Sequence, residues 1–345
     1  MSVASRTLVI INHTAAAARL RWPVIQNALE QNKILFDLRA TTRAGDAETI
    51  TRAAIKTDYR TICVIGGDGT LSEAASGFFE RAARDAGGDN DDADFSFAPV
   101  NPDAALAILP VGTGDDFARG LTGGTREPVE KWIEKLIAHC RDGDARVKKA
   151  TTRAIDVIAG KLHSGKNNIE NDAHSFICLN VATLGIGAQV AGRVAGQNNS
   201  MRRLSGDVRF TLAALGALAV WRERKVRVTL DENRVIECDS NLLALANGIY
   251  AGGGMMFAPD ARLDDGELNF LIGCNLTRAA ILRELPRIRR GTHLKNPNVR
   301  TAKATRVHIE TRSPEDALLI EADGNLRGHT PAEFRVLPAS LRIVC

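Results

Sequence analysis

A glycine-rich stretch in the first half of the chain has the composition of an anion-binding loop. Between a β-branched run and a helical stretch stand Gly66, Gly67, Asp68, Gly69 and Thr70. Glycines after a parallel strand let the backbone approach a ligand, and the following helix presents unpaired N–H groups to an anion. The loop is neither a P-loop nor a dinucleotide fingerprint. It is therefore a phosphate cradle or a plain βα turn, and Asp68 favours the cradle because a turn needs no carboxylate there.

A second loop of this kind follows the apolar run 105–111. It contains Gly112, Thr113, Gly114, Asp115 and Asp116. Two glycine loops at the carboxyl ends of strands in one α/β domain converge on one crevice, where open sheets bind ligands. Thr113 offers a hydroxyl to a phosphate or a ribose, and Asp115 or Asp116 could hold a magnesium-bound water. One aspartate could instead cap the helix that begins near Phe117.

The elements that must position these loops alternate between strands and helices. Strands are predicted at 7–11, 34–39, 61–65 and 105–111, and helices at 22–31, 47–56, 71–84 and 129–140. This alternation predicts parallel βαβ units, and hence a doubly wound, mostly parallel α/β domain. Residues 86–102, rich in Gly, Asp and Asn, are predicted to be a surface insertion.

From about residue 153 the chain changes to extended segments separated by turn residues. The segments lie at 154–159, 175–182, 225–230, 241–247, 267–272, 306–311, 318–321 and 334–336. They predict a β-rich, sandwich-like domain with two helices, at 207–221 and 277–290. The first of these helices is apolar almost all round, which fits a buried core helix or, in a lipid-binding protein, the lining of an acyl-chain entry. The predicted domains are 1–152 plus about 329–345, and 153–328.

Length and composition exclude several classes of protein. A chain of 345 residues suggests two domains, and 44% hydrophobic with 25% charged residues is typical of globular proteins, not of disordered or collagenous ones. No apolar stretch reaches the length of a membrane span, and the N-terminus lacks the features of a signal peptide. The sequence therefore predicts a cytoplasmic protein. The six cysteines form no C-x-x-C pair and are predicted to be reduced packing residues.

Positive charge is concentrated in the second half of the chain. Residues 1–152 hold 19 basic and 21 acidic side chains, whereas residues 153–345 hold 26 and 20. The segment 283–303 contains one acidic residue, Glu284, and a cluster of basic residues, namely Arg283, Arg287, Arg289, Arg290, Lys295, Arg300 and Lys303. This basic cluster is either a solvated face or a patch for an anionic membrane. No aromatic residues interleave it, which disfavours binding of nucleic acid.

The two glycine loops resemble those of the diacylglycerol kinase catalytic domain family, which includes bacterial lipid kinases and the sphingosine and ceramide kinases. The likeness extends over nearly the whole chain, through short motifs at 41–47, 180–188, 259–266, 291–293 and 323–325. It implies an N-terminal domain that binds ATP, a β-rich domain that holds a lipid, and transfer of phosphate to the lipid hydroxyl with Mg²⁺.

The resemblance also implies roles for individual residues. Nucleotide contacts fall on Asn12, Thr41, Gly66, Gly67, Asp68, Gly69, Thr70, Gly112 and Thr113. A structural magnesium at the turn 264–266 would be bound by the Asp265 side chain and by backbone oxygens near Arg262 and Glu267. The Asp-Gly pair of this turn is equally typical of a plain hairpin.

This chain departs from the family pattern at three places. The first phosphate loop has lost its glycine and reads Asn12-His13-Thr14-Ala15-Ala16, and the second has Asp115-Asp116 in place of Asn-Asp. The C-terminal Asp-Gly-Glu, whose Glu is the family's proposed base, reads Asp323-Gly324-Asn325. Because asparagine cannot accept a proton at neutral pH, the catalytic candidates are Asp68, Asp116 and Asp323. Phosphoryl transfer relies chiefly on positioning and charge neutralisation, so the loss of Glu need not abolish catalysis.

The leading hypothesis is an ATP- and Mg²⁺-dependent lipid kinase that works peripherally at the inner membrane face on a lipid such as diacylglycerol. An NAD kinase, which shares the Gly-Gly-Asp-Gly loop, is the alternative enzyme. A lipid- or nucleotide-binding pseudokinase is the non-enzyme alternative, motivated by Asn325 and His13. No nucleic-acid partner is expected, a homodimer is left open, and the sequence does not identify the lipid.

Overall fold

The computed structural model describes residues 6–81, 97–141, 150–163, 175–197 and 206–345. The chain divides into two units, Met1–Asp156 with Pro338–Cys345, and Val157–Leu337. It passes from one unit to the other within the strands Thr152–Leu162 and Ala332–Val344. Residues 329–337, which the sequence assigned to the first domain, therefore lie in the second unit, and residues 153–156 lie in the first.

A parallel sheet with the strand order β2–β1–β3–β6 forms the centre of the first unit. Its strands are β1 (Arg6–Asn12), β2 (Phe36–Thr41), β3 (Tyr59–Gly66) and β6 (Ala105–Pro110). The end of the last strand of the chain extends the sheet, because Arg342 pairs with Ala105 in parallel register. β1, β3 and β6 are nearly continuous buried apolar runs, as expected for parallel strands with both faces covered.

Helices connect these strands in the predicted alternation. They are α1 (Ala16–Gln31), α2 (Asp46–Lys56), α3 (Asp68–Ser76), α4 (Asp116–Leu121) and α5 (Val129–Arg141). The helix predicted over 71–84 is wrong for residues 77–81, and residues 82–84 lie outside the described residues. At Gly77 a Cβ would lie 2.5 Å from the Glu48 carbonyl oxygen, so α3 ends against α2. The chain then forms β4 (Phe79–Arg81), paired with β5 (Phe97–Pro99). β5 lies inside the predicted surface insertion, most of which falls outside the described residues.

The second unit is β-rich, as predicted. Its strands are β7 (Thr152–Leu162), β8 (Ser175–Cys178), β9 (Val181–Gly185), β10 (Arg224–Leu230), β11 (Arg234–Ala246), β12 (Tyr250–Ala251), β13 (Met255–Met256), β14 (Leu268–Cys274), β15 (Val299–Ala304), β16 (Arg306–Thr311), β17 (Leu319–Ala322), β18 (Asn325–His329) and β19 (Ala332–Val344). Neighbouring strands follow the order β18–β17–β9–β11–β10–β16–β19, with β14 beside β11 and β15 beside β14. Trp221, Phe270 and Phe334 lie in its buried core.

Within the described part of the second unit, three α-helices accompany these strands, namely α6 (Ile186–Ala195), α7 (Gly206–Val220) and α8 (Arg278–Ile288). The sequence analysis missed α6, whose two internal glycines weaken its helical signal. α7 is not buried all round: Ala213, Ala217 and Leu218 are buried, whereas Val208, Leu212 and Leu215 are each 45% exposed. Among the described residues, no helix combines the length and the apolar composition that a membrane crossing requires.

Candidate active site

The parallel register brings the predicted nucleotide-binding residues to one edge of the first unit. Asn12 at the end of β1 pairs with Thr41 at the end of β2, and Gly66 at the end of β3 pairs with Pro110 at the end of β6. The carboxyl ends of four adjacent strands therefore lie side by side. Both glycine loops leave from this edge, which is where open α/β sheets bind ligands.

The backbones of the two glycine loops approach each other closely at Gly67 and Gly112. A Cβ built on Gly67 would lie 3.2 Å from the Gly112 Cα, and one built on Gly112 would lie 2.6 Å from the Gly67 Cα. The Val111 N–H also donates to the Gly66 carbonyl oxygen at 3.2 Å. Any side chain at position 112 would separate the loops, so these two glycines are required for a close backbone approach.

Helix α3 begins at this contact and points its first turn at the strand edge. No side chain caps it, and acidic Asp68 is its first residue. A Cβ on Gly69 would meet no atom within 4 Å, so open space lies beside the first turn. Uncapped N–H groups next to open space, at the positive end of a helix, can bind an anionic group such as phosphate.

Asp68 fixes the second loop from across the edge. Its carboxylate accepts hydrogen bonds from the N–H groups of Asp116 and Phe117, each at 3.1 Å, and so caps α4. Burial, together with the nearby Asp116 charge, raises the pKa of Asp68 to about 6. Asp116 is itself only 4% exposed. The pair concentrates negative charge beside the glycine loops, and a bound cation would relieve it.

The conformation of the second loop is fixed by hydrogen bonds that the sequence does not reveal. Asp115, in left-handed conformation with φ 48°, accepts the Gly112 N–H at 2.8 Å. Arg126 donates to the carbonyl oxygens of Thr113 (2.6 Å) and Gly114 (2.9 Å). Arg126 follows the loop in an irregular segment without a motif, so no sequence signal marks its role. These contacts leave the Thr113 side chain exposed to solvent.

Asn12 and Thr41 occupy the other half of the edge. The side-chain Nδ2 of Asn12 donates to the Thr70 hydroxyl at 3.1 Å, and the side-chain Oδ1 of Asn12 accepts the Thr14 N–H at 3.0 Å. This local turn closes the loop after β1 without the glycine that the family pattern has at that point. Thr41 is 6% exposed and ends β2. Asn12 thus links the first strand directly to the glycine loop.

In the second unit, Asp323 organises the chain around the break between β8 and β9. Its carboxylate accepts the N–H groups of Leu179 (2.6 Å), Asn180 (3.0 Å) and Val181 (3.1 Å). These contacts explain why the predicted strand 175–182 is divided in two. Both oxygens of the Asp323 carboxylate are thus engaged by backbone N–H groups, which gives this residue a structural role and disfavours it among the three catalytic candidates from the sequence.

Glu321, two residues earlier, has the properties expected of a proton acceptor. It is buried on β17, its Oε2 accepts the Thr183 hydroxyl at 2.7 Å, and its Oε1 accepts the Gly324 N–H. Burial raises the pKa of Glu321 to about 7. The sequence analysis missed it, although a glutamate within an apolar strand, Leu-Leu-Ile-Glu-Ala, is a recognisable signal of a buried charge.

The hairpin that follows Asp323 carries two buried donors. Asn325 Nδ2 and Arg327 Nε have no hydrogen-bond partner within the described part of the chain. The Arg327 guanidinium lies 5.1 Å from the centre of the Phe176 ring. Asn325 replaces the family glutamate, so this position presents a neutral amide where a carboxylate is usual.

The turn predicted to bind structural magnesium contains a cation of its own. Lys303 Nζ lies 2.5 Å from Asp265 Oδ2 and 3.1 Å from Glu267 Oε2, and the Glu267 N–H donates to Asp265 Oδ1 at 3.2 Å. The hydrogen bonds that Lys303 donates to the carboxylates of Asp265 and Glu267 raise the pKa of Lys303. Arg262 contributes a side-chain contact to Asp264 at 3.8 Å. With an ammonium group between the carboxylates, the residues present do not fit Mg²⁺, which requires closely placed oxygen ligands.

Comparison with known proteins assigns the two halves of the chain to one kind of enzyme. Residues 6–150 match the family described as "Diacylglycerol kinase catalytic domain", and residues 181–345 match "YegS C-terminal NAD kinase beta sandwich-like domain". The chain is 27% identical over 301 residues to a protein of Mycobacterium tuberculosis named "Diacylglycerol kinase", covering 87% of this chain and 82% of that protein.

Solved structures share the fold. A diacylglycerol kinase structure from Bacillus anthracis superposes with a TM-score of 0.64 at 19% identity, covering 99% of this chain and 96% of that one. Yeast NADH kinase, solved with NADH, gives a TM-score of 0.53 at 10% identity, with 99% and 82% covered. The predicted α/β domain with a β-rich second domain is thereby confirmed. Taken with the sequence matches, these findings show that residues 6–150 belong to the diacylglycerol kinase catalytic domain family.

Proposed function

We propose that this protein is a lipid kinase that transfers the γ-phosphoryl group of ATP to the hydroxyl of a membrane lipid. The observation that carries the proposal is the convergence of two glycine loops, in backbone contact at Gly67 and Gly112, beside the uncapped start of α3. This arrangement suits a polyphosphate, and the family to which residues 6–150 belong supports lipid as the acceptor. The lipid hydroxyl would attack the γ-phosphorus, ADP would leave, and a carboxylate would accept the hydroxyl proton.

The first unit would bind the nucleotide. The N–H groups of Asp68, Gly69 and Thr70 would contact phosphate oxygens, with Thr113 and Asn12 as further polar contacts. Mg²⁺, when bound, would neutralise charge on the phosphates. The clustered carboxylates of Asp68 and Asp116 are suited to hold it, directly or through water, because their mutual repulsion contributes to the raised pKa of Asp68.

The second unit would supply the proton acceptor, and we assign that role to Glu321. Asp323 is committed to backbone N–H groups, and Asn325 cannot accept a proton. Glu321 is the carboxylate next to both, and its pKa near 7 matches what general base catalysis at neutral pH requires.

The lipid substrate implies work at a membrane surface, and two features of the second unit support this. The exposed side chains of α8 and its neighbourhood include Arg283, Arg287 and Arg290, with Leu282 40% exposed among them. α7 adds the exposed apolar residues Val208, Leu212 and Leu215. Basic and apolar groups together attract a peripheral protein to anionic lipid at the inner membrane face.

A transfer assay on a panel of acceptors tests the proposed activity. Purified protein with radiolabelled ATP and Mg²⁺ should label a lipid that has a free hydroxyl, such as diacylglycerol or phosphatidylglycerol, in mixed micelles. Labelled NADP from NAD would instead identify an NAD kinase, whose fold the chain shares. ATP binding without any labelled product would identify a pseudokinase, and either result would contradict the proposal.

Glu321→Gln should remove the proton acceptor with little change of shape. We expect turnover to fall by about 10² to 10⁴. In the wild type kcat/KM should rise with pH through about 7, because the carboxylate accepts the proton, and this rise should be lost in the variant. Asp323→Asn is the comparison, and it should lower the melting temperature by weakening the loop at 178–181. A Glu321→Gln enzyme with the wild-type pH profile would exclude Glu321.

The same raised pKa makes a prediction about stability. Folding shifts the pKa of Glu321 from 4.5 up to about 7, so the folded state binds more protons between these values. Its contribution to stability is complete below pH 4.5 and is lost as the pH rises through 7. The melting temperature of the wild type should therefore fall more steeply over this range than that of Glu321→Gln. Parallel curves would mean that Glu321 is not buried as described.

Replacing basic residues of α8 should weaken membrane binding. We expect Arg283→Gln with Arg290→Gln to reduce co-sedimentation with phosphatidylglycerol vesicles by about tenfold or more, and added salt to reduce that of the wild type. Arg227→Gln with Arg312→Gln removes two exposed charges elsewhere in the second unit as a control. Equal binding by both double variants would reduce the basic cluster to an ordinary solvated face.

Lys303 and magnesium should compete for the turn at Asp265. We expect neither EDTA nor millimolar Mg²⁺ to change the melting temperature of the wild type. Lys303→Met removes the ammonium and leaves two carboxylates facing each other, so it should be stabilised by Mg²⁺. Lys225→Met, at another exposed lysine, should behave like the wild type. Loss of wild-type stability in EDTA would instead support the structural magnesium expected from the family resemblance.

A further inference from the structure

Three side chains that commonly bind transition metals meet in the second unit, apart from the residues assigned to phosphoryl transfer. They are His163, just after β7, His308 on β16, and Glu333 on β19. One ligand atom from each lies within 4.8 Å of the others. His163 Nε2 is 3.9 Å from Glu333 Oε2, and the two imidazole rings are 5.5 Å apart between centres.

The backbone fixes the positions of these residues. His308 and Glu333 are direct partners in the antiparallel register of β16 and β19, so their side chains stand on the same face. The His163 N–H donates to the Pro331 carbonyl oxygen at 3.0 Å, two residues before Glu333. The cluster therefore follows from strand pairing and does not depend on a chance meeting of flexible side chains.

The spacing is close to that of a tetrahedral zinc site. With metal–ligand bonds of about 2.0 to 2.2 Å, neighbouring ligand atoms lie about 3.4 Å apart. The cluster must contract by about 1 Å, which rotation of the imidazoles allows because His163 and His308 are 35% and 32% exposed. Glu310 Oε1, 3.2 Å from His308 Nε2, or a water molecule can supply a fourth ligand.

The charges around the cluster select the kind of ion. Glu333 Oε1 contacts Arg306 Nε at 2.6 Å and accepts from Arg335 Nε at 2.7 Å, while Oε2 faces His163. Burial raises the pKa of Glu333, but the hydrogen bonds from both arginines outweigh burial and hold the pKa below its ordinary value. The carboxylate is therefore charged at neutral pH. The arginines repel any divalent cation, so the imidazole nitrogens must provide the binding energy, and these ligands favour Zn²⁺ over a hard ion such as Mg²⁺.

We propose that His163, His308 and Glu333 bind one divalent transition-metal ion of the Zn²⁺ type. Two imidazoles and a carboxylate are a common ligand set for Zn²⁺. The ion would fasten the end of β7 to β16 and β19 and so stabilise the second unit. This site is independent of the proposed kinase activity, and the two can fail separately.

Calorimetric titration of Zn²⁺ into EDTA-treated, dialysed full-length protein tests the proposal. We expect one ion per chain and a melting temperature that rises by a few degrees with Zn²⁺ but not with Mg²⁺. His163→Gln and His308→Gln should each weaken binding by about tenfold or more. His329→Gln changes an exposed histidine outside the cluster and should bind like the wild type.

The cysteines are the competing ligands, because Cys238 and Cys274 contact each other through their thiols. Co²⁺ distinguishes the two sites, since thiolate ligands give intense charge-transfer absorption in the near ultraviolet and nitrogen and oxygen ligands do not. Only weak visible bands are expected here. Strong thiolate absorption, unchanged affinity in both histidine variants, or no thermal response to Zn²⁺ would each overturn the assignment.

Discussion

The strand edge of the first unit that carries both glycine loops depends on a close backbone contact between Gly67 and Gly112. Gly67 and Gly112 approach so closely that a Cβ on Gly112 would lie 2.6 Å from the opposite Cα. This contact sets the separation of the two loops, and the carboxylate of Asp68 maintains it by capping α4 from the start of α3. Because both loops leave from adjacent parallel strands, the sheet fixes where each begins. The loops are thus positioned before any ligand arrives, which reduces the entropic cost of binding.

Two carboxylates of the second unit, Asp323 and Glu321, have different roles. The Asp323 carboxylate accepts three backbone N–H groups and thereby fixes the conformation of the chain between β8 and β9. Glu321 makes fewer hydrogen bonds, so burial dominates and its pKa rises to about 7. The two residues are close in sequence, but they differ in the number of hydrogen bonds that each carboxylate accepts. Loss of the family glutamate at position 325 can therefore coexist with phosphoryl transfer, provided that Glu321 accepts the proton.

The sequence predicts the fold of this protein better than the roles of its individual side chains. Strand periodicity and the two glycine loops were sufficient for the α/β domain and its ligand-binding edge, because parallel strands align their carboxyl ends. The early end of α3 at Gly77 and the role of Arg126 could not be predicted, since both depend on contacts between residues distant in sequence. For the same reason the sequence keeps Asp323 among its three catalytic candidates, because the backbone N–H groups that it binds at 179–181 are distant in sequence. Lys303 likewise reaches Asp265 only through the pairing of β14 with β15.

The central claim is that the first turn of α3 binds the phosphates of a nucleotide, and Gly69 tests it most directly. A side chain on Gly67 would also disturb Gly112, whereas one on Gly69 enters open space and leaves the fold intact. Calorimetry with a non-hydrolysable ATP analogue should therefore show at least about tenfold weaker binding for Gly69→Val, with an unchanged melting temperature. Gly120→Val, at another helical glycine that faces open space, should keep the wild-type affinity. Equal affinity in Gly69→Val and Gly120→Val would contradict the account.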